Sequence, residues 1–281
     1  MPTRLDILKE SEARLVAVDS PRLSAQLLMA EVLGCSASGI VLERDREVTP
    51  GQAARIAALV NRRAAGEPVA YILGRKEFYG LEFEVTPSVL IPRPETEHVV
   101  EAVEELYSPE NAFYFADLGT GSGILAVTIC HCFPRSRCMA MDLSAQALEV
   151  ARANACRHGV ESRIDFVHGD FTRPLPGGPC DLIVANPPYV TEAEMIQASR
   201  EVTAFEPLSA LVSGADGLDH VRGMLGPALA ALKAGGGVLM EVGWRHGEPV
   251  KKITSHDFPQ IKAVKVIKDL AGHDRVVFLQ K

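Results

Sequence analysis

The chain has 281 residues, 47% of them hydrophobic and 23% charged, with 29 Lys+Arg against 36 Asp+Glu for a net charge of −7. This balance excludes a disordered polar chain, and the acidic total argues against broad electrostatic adhesion to nucleic acid or to an anionic membrane. The length suits about two domains, and residues 1–76 carry 11 basic and 9 acidic side chains, leaving the −9 on the remainder.

Residues 1–66 read as short helices. Leu5, Leu8, Leu15 and Val16 keep rough helical spacing. Ser20-Pro21 and Thr49-Pro50 each read as an N-cap followed by proline at the first helical position, while Gly34 and Gly66 close the segments that follow. No titratable cluster in this part suggests chemistry, so a docking or recognition role is expected. Phe78, Tyr79, Leu81, Phe83 and Val85 around Gly80 predict a β-hairpin. Pro87, Pro92 and Pro94 then stiffen a linker, and a helix is expected from about Pro94 to Leu106.

From residue 113 onward strands alternate with helices. Strands are expected at 113–118, 137–142, 163–168, 180–185, 237–242, 261–267 and 275–280, and helices at about 122–132, 145–157, 216–232 and 246–255. That alternation predicts an α/β fold with a mostly parallel sheet covered on both faces.

The first of these strands runs into Asp117, Leu118, Gly119, Thr120, Gly121, Ser122 and Gly123. Glycines at a strand-to-helix turn let the backbone approach a ligand closely. Asp142 ends the next strand, where a carboxylate accepts hydrogen bonds from ribose hydroxyls, so a nucleoside-containing cofactor is expected. This spacing leaves nicotinamide dinucleotide and S-adenosylmethionine both open. Ile124 occupies the sixth position of the glycine run, where a dinucleotide site wants Gly or Ala, and Asp117 would repel a phosphate but suit an ammonium group. Both features favour the sulfonium cofactor. Asp170 and Phe171 follow the third strand and suit an adenine amino group and its face.

Asn186-Pro187-Pro188-Tyr189 follows the apolar strand that ends at Ala185. Ligands of open α/β sheets bind beyond the carboxyl ends of the strands. The Asn186 side-chain oxygen and the Pro187 carbonyl can each accept one N–H of a planar NH₂ group, directing its lone pair toward a methyl donor. Tyr189 can pack on the flat group. An exocyclic adenine amine and a side-chain amide both fit this description.

A wider set of segments narrows the choice. LIPRPETE (90–97), DLGTGSG (117–123), NPPY (186–189), FEPLSAL (205–211), EVGWRHGE (241–248) and KDLAGHDRVV (268–277) together resemble the glutamine-N5 methyltransferases of class I peptide release factors, the HemK/PrmC family. The likeness extends to YILGRKEFYGL (71–81) and SPRLSAQLLMAEVLG (20–34). Two departures are Gly272-His273 where Gly-Asn is expected, and Phe171 where some relatives have Trp.

The resemblance implies a Rossmann-like, seven-stranded methyltransferase sheet over 93–281, a helical recognition domain over 1–70 and a hairpin linker over 71–92. It implies S-adenosylmethionine held by Asp117, Gly119, Thr120, Gly121, Ser122, Gly123, Asp142, Leu143, Asp170, Phe171 and Asn186. It also implies a substrate glutamine held at Asn186, Pro187, Pro188 and Tyr189, with Arg93, Glu95, Glu206 and Pro207 walling the pocket. The partner implied is a class I release factor, and a cytoplasmic monomer without stable nucleic-acid binding is expected. An N6-adenine methyltransferase is the alternative with the same chemistry; a nicotinamide oxidoreductase leaves the Asn-Pro-Pro-Tyr segment unexplained.

Three further expectations concern residues outside these motifs. The loop 190–204 is either a lid or a plain connection. Glu241 and Trp244 read as packing residues. The six cysteines read as reduced and mostly core, and neither they nor the eight histidines form a metal-ligand pattern.

Overall fold

A computed structural model describes residues 1–281, which separate into two compact units: Met1–Arg75 with Ser199–Phe205, and Lys76–Ala198 with Glu206–Lys281. The first unit holds α1 (Arg4–Arg14), α2 (Pro21–Leu33), α3 (Ala37–Leu42), α4 (Pro50–Ala64) and α5 (Val69–Leu73) around Leu8, Leu15, Leu28, Met29, Ile40, Ile56 and Val60. Thr49 forms a full capping box with Gln52, and Thr3 forms one with Asp6.

Two local expectations hold only in part here. Ser20 holds the N-cap position with Pro21 in the first turn, as expected, but its φ of 50° puts it in the left-handed region and its side chain makes no cap hydrogen bond. Val16 lies beyond the last turn of α1 and is exposed, so the apolar stripe is carried by Ile7, Leu8 and Leu15.

The hairpin is β1 (Arg75–Phe78) and β2 (Leu81–Glu84); from Lys76 onward it belongs to the second unit, and its Phe78 and Phe83 enter the core of that unit. Its turn carries positive φ at both Tyr79 and Gly80, the geometry that matches strand twist in a tight hairpin. The segment 94–106 is a 3₁₀ turn (Pro94–Thr96) leading into α6 (Glu97–Leu106).

The sheet uses β3 (Tyr114–Leu118), β4 (Arg137–Asp142), β5 (Ile164–His168), β6 (Cys180–Ala185), β7 (Leu232–Glu241), β8 (Ala263–Lys268) and β9 (Asp274–Gln280), in the order β5-β4-β3-β6-β7-β9-β8. The first five positions run parallel, and β9 pairs antiparallel with both β7 and β8. All seven expected strands are present; β7 starts earlier, at Leu232.

Side chains alternate between the two faces with the period of a strand. Phe115, Leu182, Val184 and Leu239 join one core with α7 (Ile124–Cys132) and α6. Ala116, Leu118, Ile183, Ala185, Val238 and Met240 join the other with α11 (Asp219–Ala231). From β3 the chain winds outward through α7, β4, α8 (Ala145–Arg157) and β5; it then returns to the other side of β3 as β6. The strand order therefore reverses between β3 and β6, where a crevice opens beyond their carboxyl ends.

The 190–204 loop contains α9 (Glu192–Gln197) and most of α10 (Arg200–Phe205). Val190 and Val212 bridge at its base. Residues 199–205 group with the helical unit, where Glu201 pairs with the buried Arg63 at 2.8 Å.

Cys130, Cys138 and Cys180 are buried, whereas Cys35 and Cys132 are half-buried and Cys156 is exposed, so the expected core role holds for three of the six. No helix is long and apolar enough to cross a membrane.

Candidate active site

A cavity of about 710 Å³ lies at the reversal point. Its lining includes Asp117, Gly119, Thr120, Gly121, Ser122, Asp142, Leu143, Asp170, Phe171, Asn186, Pro188, Arg93 and Pro207. The motifs read from three strand ends and from two distant loops thus meet on one surface.

Asp117 is fully buried, and burial pushes its carboxyl up to about 7. Oδ2 accepts from Thr120 Oγ1 at 2.6 Å and from the Ala126 amide at 3.1 Å. Oδ1 is buried with no partner. A lone carboxylate oxygen in such surroundings is costly unless a donor or cation meets it. The glycine turn beside it is held by Gly119 and Thr120 amides donating to the Met141 carbonyl, each at 2.9 Å.

Asp142 accepts from the amides of Gly121 at 2.9 Å and Ser144 at 2.8 Å. A carboxylate has roughly four lone-pair directions, so capacity for a vicinal diol remains. Gly123 does different work. It has φ 83°, and a Cβ there would stand 3.1 Å from Ala151 Cβ, so this glycine lets α7 pack on α8 and does not line the cavity.

Phe171 covers Gly119, whose Cβ would lie 3.5 Å from its ring, and Leu143 exposes an apolar flank to the cavity. Asp170 Oδ1 accepts from the Thr172 amide and hydroxyl, which hold its carboxyl below the ordinary range. The orphaned Asp117 oxygen, the spare acceptors on Asp142 and the apolar pair Leu143 and Phe171 have the chemistry to fit an ammonium, a ribose and a base.

Asn186 and Pro188 face the cavity; Pro187 is buried behind them. Asn186 Nδ2 donates to Thr96 Oγ1 at 3.0 Å, and Thr96 Oγ1 donates to Glu241 Oε2 at 2.5 Å. The Tyr189 hydroxyl donates to Glu241 Oε1 at 3.1 Å, so it is turned away from the cavity. Glu241 is 1% exposed, and burial lifts its carboxyl to about 7. It is therefore a hydrogen-bonding hub and not the packing residue expected from sequence. Trp244 is not a core residue either: it is half exposed, with the Arg245 guanidinium 3.7 Å from its ring.

Glu206 lies outside the cavity lining. Its buried carboxylate accepts from Arg93 at 2.6 Å and from the Ile91 amide at 3.2 Å, pinning the proline-rich segment to the loop before Pro207. Glu95 also stays off the cavity wall and faces Arg275 at 3.8 Å.

Sequence reasoning passed over Thr96, His220 and the run Pro87–Ile91. His220 lines the cavity opposite Phe171, with ring centroids 6.0 Å apart, and shares a 2.9 Å hydrogen bond with Ser213. The proline spacing and the LIPRPETE segment (90–97) were the signs that this stretch was more than a tether.

A doubly wound sheet with a glycine turn after its first strand, a carboxylate ending the second and Asn-Pro-Pro-Tyr ending the fourth defines a Rossmann-like methyltransferase. A methyltransferase from Pyrococcus furiosus has the same fold, with a TM-score of 0.54 at 18% identity, covering 80% of this chain and 97% of its own. Residues 6–74 match the family model described as PrmC N-terminal domain, and residues 99–205 match the methyltransferase small domain. Proteins named release factor glutamine methyltransferase are similar over almost the whole chain. The one from Nitratidesulfovibrio vulgaris is 45% identical over 98% of this chain and 94% of its own. Those from Koribacter versatilis and Moorella thermoacetica are 43% and 40% identical, covering 93% and 95% of this chain and 92% and 95% of their own. The chain belongs to the release factor glutamine methyltransferase family.

Proposed function

We propose that the protein transfers a methyl group from S-adenosylmethionine to the side-chain amide nitrogen of the glutamine in the Gly-Gly-Gln loop of class I release factors. The observation that carries this reading is the pairing, in one cavity, of a buried unpartnered carboxylate oxygen on Asp117 with Asn186 and Pro188 of the Asn-Pro-Pro-Tyr segment. A cationic amino-acid cofactor satisfies the first; an NH₂ group with two N–H donors to place satisfies the second.

Asp117 would meet the cofactor's ammonium, Asp142 its ribose hydroxyls, and Leu143, Asp170 and Phe171 its base. The turn 119–122 gives the backbone room, and Gly123 keeps that turn on α8. When bound, the cofactor supplies a methyl group on a sulfonium that leaves as a neutral thioether. Asn186 Oδ1 and the Pro187 carbonyl accept the two amide hydrogens, which favours positive charge on the nitrogen as its bond to carbon forms. The N-alkylated amide is acidic enough to lose its proton to water, so no strong base is required of the chain. Pro187 and Pro188 fix that carbonyl's direction and bring no N–H donors of their own. Arg93 and Glu206 act on each other: their pairing shapes the wall, and Pro188 and Pro207 supply its apolar surface. The N-terminal helical unit is assigned to recognition of the release factor.

The test is transfer of labelled methyl from S-adenosylmethionine to a purified class I release factor. A factor with the loop glutamine changed to alanine and unmethylated duplex DNA run alongside. Label on the factor that disappears with the glutamine change is expected. Label on DNA alone would assign the pocket to adenine and overturn the substrate.

A further inference from the structure

Asn186 serves the proposed reaction in only one amide orientation. Oδ1 must face the cavity, because a substrate NH₂ needs an acceptor there. Turned over, the amide would present its own NH₂ to the substrate's NH₂. The two ends of a side-chain amide are nearly the same size, so packing alone selects poorly between them. Hydrogen-bond direction selects well.

Nothing within the protein bonds to Asn186 Oδ1, whereas Nδ2 is fixed on Thr96 Oγ1 at 3.0 Å. A hydroxyl has one proton. Thr96 places that proton on Glu241 Oε2 at 2.5 Å, so toward Asn186 its oxygen can only accept. Above about pH 7, where the buried Glu241 carboxyl is ionised, it in turn can only accept, and its other oxygen takes the Tyr189 hydroxyl. The polarity of the whole relay is thereby set from a carboxylate sealed behind the site. Glu241 ends β7, Thr96 closes the 3₁₀ turn before α6, and Asn186 and Tyr189 follow β6, so three separate elements converge on one direction of donation. Burying a carboxylate to hold together two hydroxyls is an expensive way to fill a core position.

We infer that Thr96 and Glu241 are positioning residues that fix the amide orientation of Asn186, with the Tyr189 hydroxyl bracing the same carboxylate. The inference rests on the reading that Asn186 accepts an N–H of the substrate amide. Neither Thr96 nor Glu241 lines the cavity, so each acts through Asn186.

The experiment compares full-length wild type, Thr96→Val, Thr96→Ser and Glu241→Gln in steady-state methyl transfer to the release factor, with cofactor affinity by calorimetry and thermal melting on each. Thr96→Val keeps the shape and removes the relay; kcat is expected to fall about 10- to 100-fold, the size typical of a misplaced reacting group. KM for the factor and the cofactor Kd should stay within about threefold, because ground-state contacts are not the ones removed. Thr96→Ser, which retains the hydroxyl, should recover most of kcat. Glu241→Gln brings a donor into the relay and should lower kcat in the same way. Wild-type transfer with an undiminished Thr96→Val kcat would overturn the positioning role and leave the substrate reading intact. So would a loss that Thr96→Ser fails to restore. A wild type that transfers no methyl to the factor would overturn both.

Discussion

Asp117 carries the clearest electrostatic signature in the molecule. Its carboxyl ordinarily ionises near 3.8 but is lifted to about 7, chiefly by burial. A cationic ligand needs the ionised form. Below about pH 7, binding must first remove a proton, and affinity should fall about tenfold per pH unit. The ligand's own amino group loses its charge near pH 8, by the usual α-amino value of about 7.7–8.0. Cofactor affinity measured by calorimetry should therefore peak between these limits, and Asp117→Asn should abolish the acid limb while weakening binding by about 1.5–3 kcal/mol. The free protein has the opposite slope. A carboxyl raised on folding contributes stability that is complete below its unfolded value and lost as pH rises through the folded one. Asp117 and Glu241, raised from ordinary values of 3.8 and 4.5 to about 7, should together lower the melting midpoint of the free protein between about pH 4 and 7, and cofactor should flatten that slope. At Asn186 the expected effect is kinetic. Asn186→Ala should cost about 10²-fold or more in kcat, as for one lost transition-state partner, and an unchanged rate would sink the proposed mechanism.

At the scale of elements, the join between α7 and α8 shows how the cofactor turn is held. Gly123 starts α7 with φ 83°, and a methyl group there would press on Ala151 of α8 at 3.1–3.2 Å. Gly123→Ala should cost about 1–3 kcal/mol through strain and overpacking, with a melting loss of several degrees. Cofactor affinity should drop with it, because Ser122 and the rest of the turn move. The strand ends and their motifs were legible in sequence, because alternating apolar strands and glycine turns are written in local spacing. Thr96 and Glu241 were not legible as partners. They stand 145 positions apart, and nothing in either neighbourhood says that one hydroxyl will meet one carboxylate. Glu206 misled for the same reason: a charge among motif residues suggests substrate contact, whereas its burial spends it on Arg93 and the Ile91 amide. Ser20 failed as a side-chain cap because a capping residue type says nothing of φ, and at 50° its hydroxyl cannot reach the helix amides.

At the scale of the whole molecule, contiguity in sequence is a poor guide to membership. Residues 199–205 interrupt the methyltransferase half but group with the N-terminal helices. Their composition gave no sign of it, which is why the loop could be read equally as a lid or a tether. The physical reason lies at Arg63. This guanidinium is 3% exposed; one end donates to the Glu67 carbonyl at 3.1 Å, another meets Glu201 at 2.8 Å, and Nε has no partner. A buried cation with an incomplete shell depends on its counter-charge, and that charge comes from more than a hundred positions downstream. Phe205 lies over Gly66 in the same unit, 3.5 Å from where its Cβ would be, and adds apolar cover. Glu201→Gln keeps the shape and removes the charge. It should destabilise the helical unit by about 1–3 kcal/mol, less than for a fully enclosed pair because Glu201 is partly exposed to solvent. Hydrogen exchange should show the loss as lowered protection of the α4 amides around Arg63, with the β3 and β6 amides unchanged. Equal loss of protection in α4 and in the sheet would mean that the two units unfold as one; no loss in α4 would mean that the guanidinium is satisfied without Glu201.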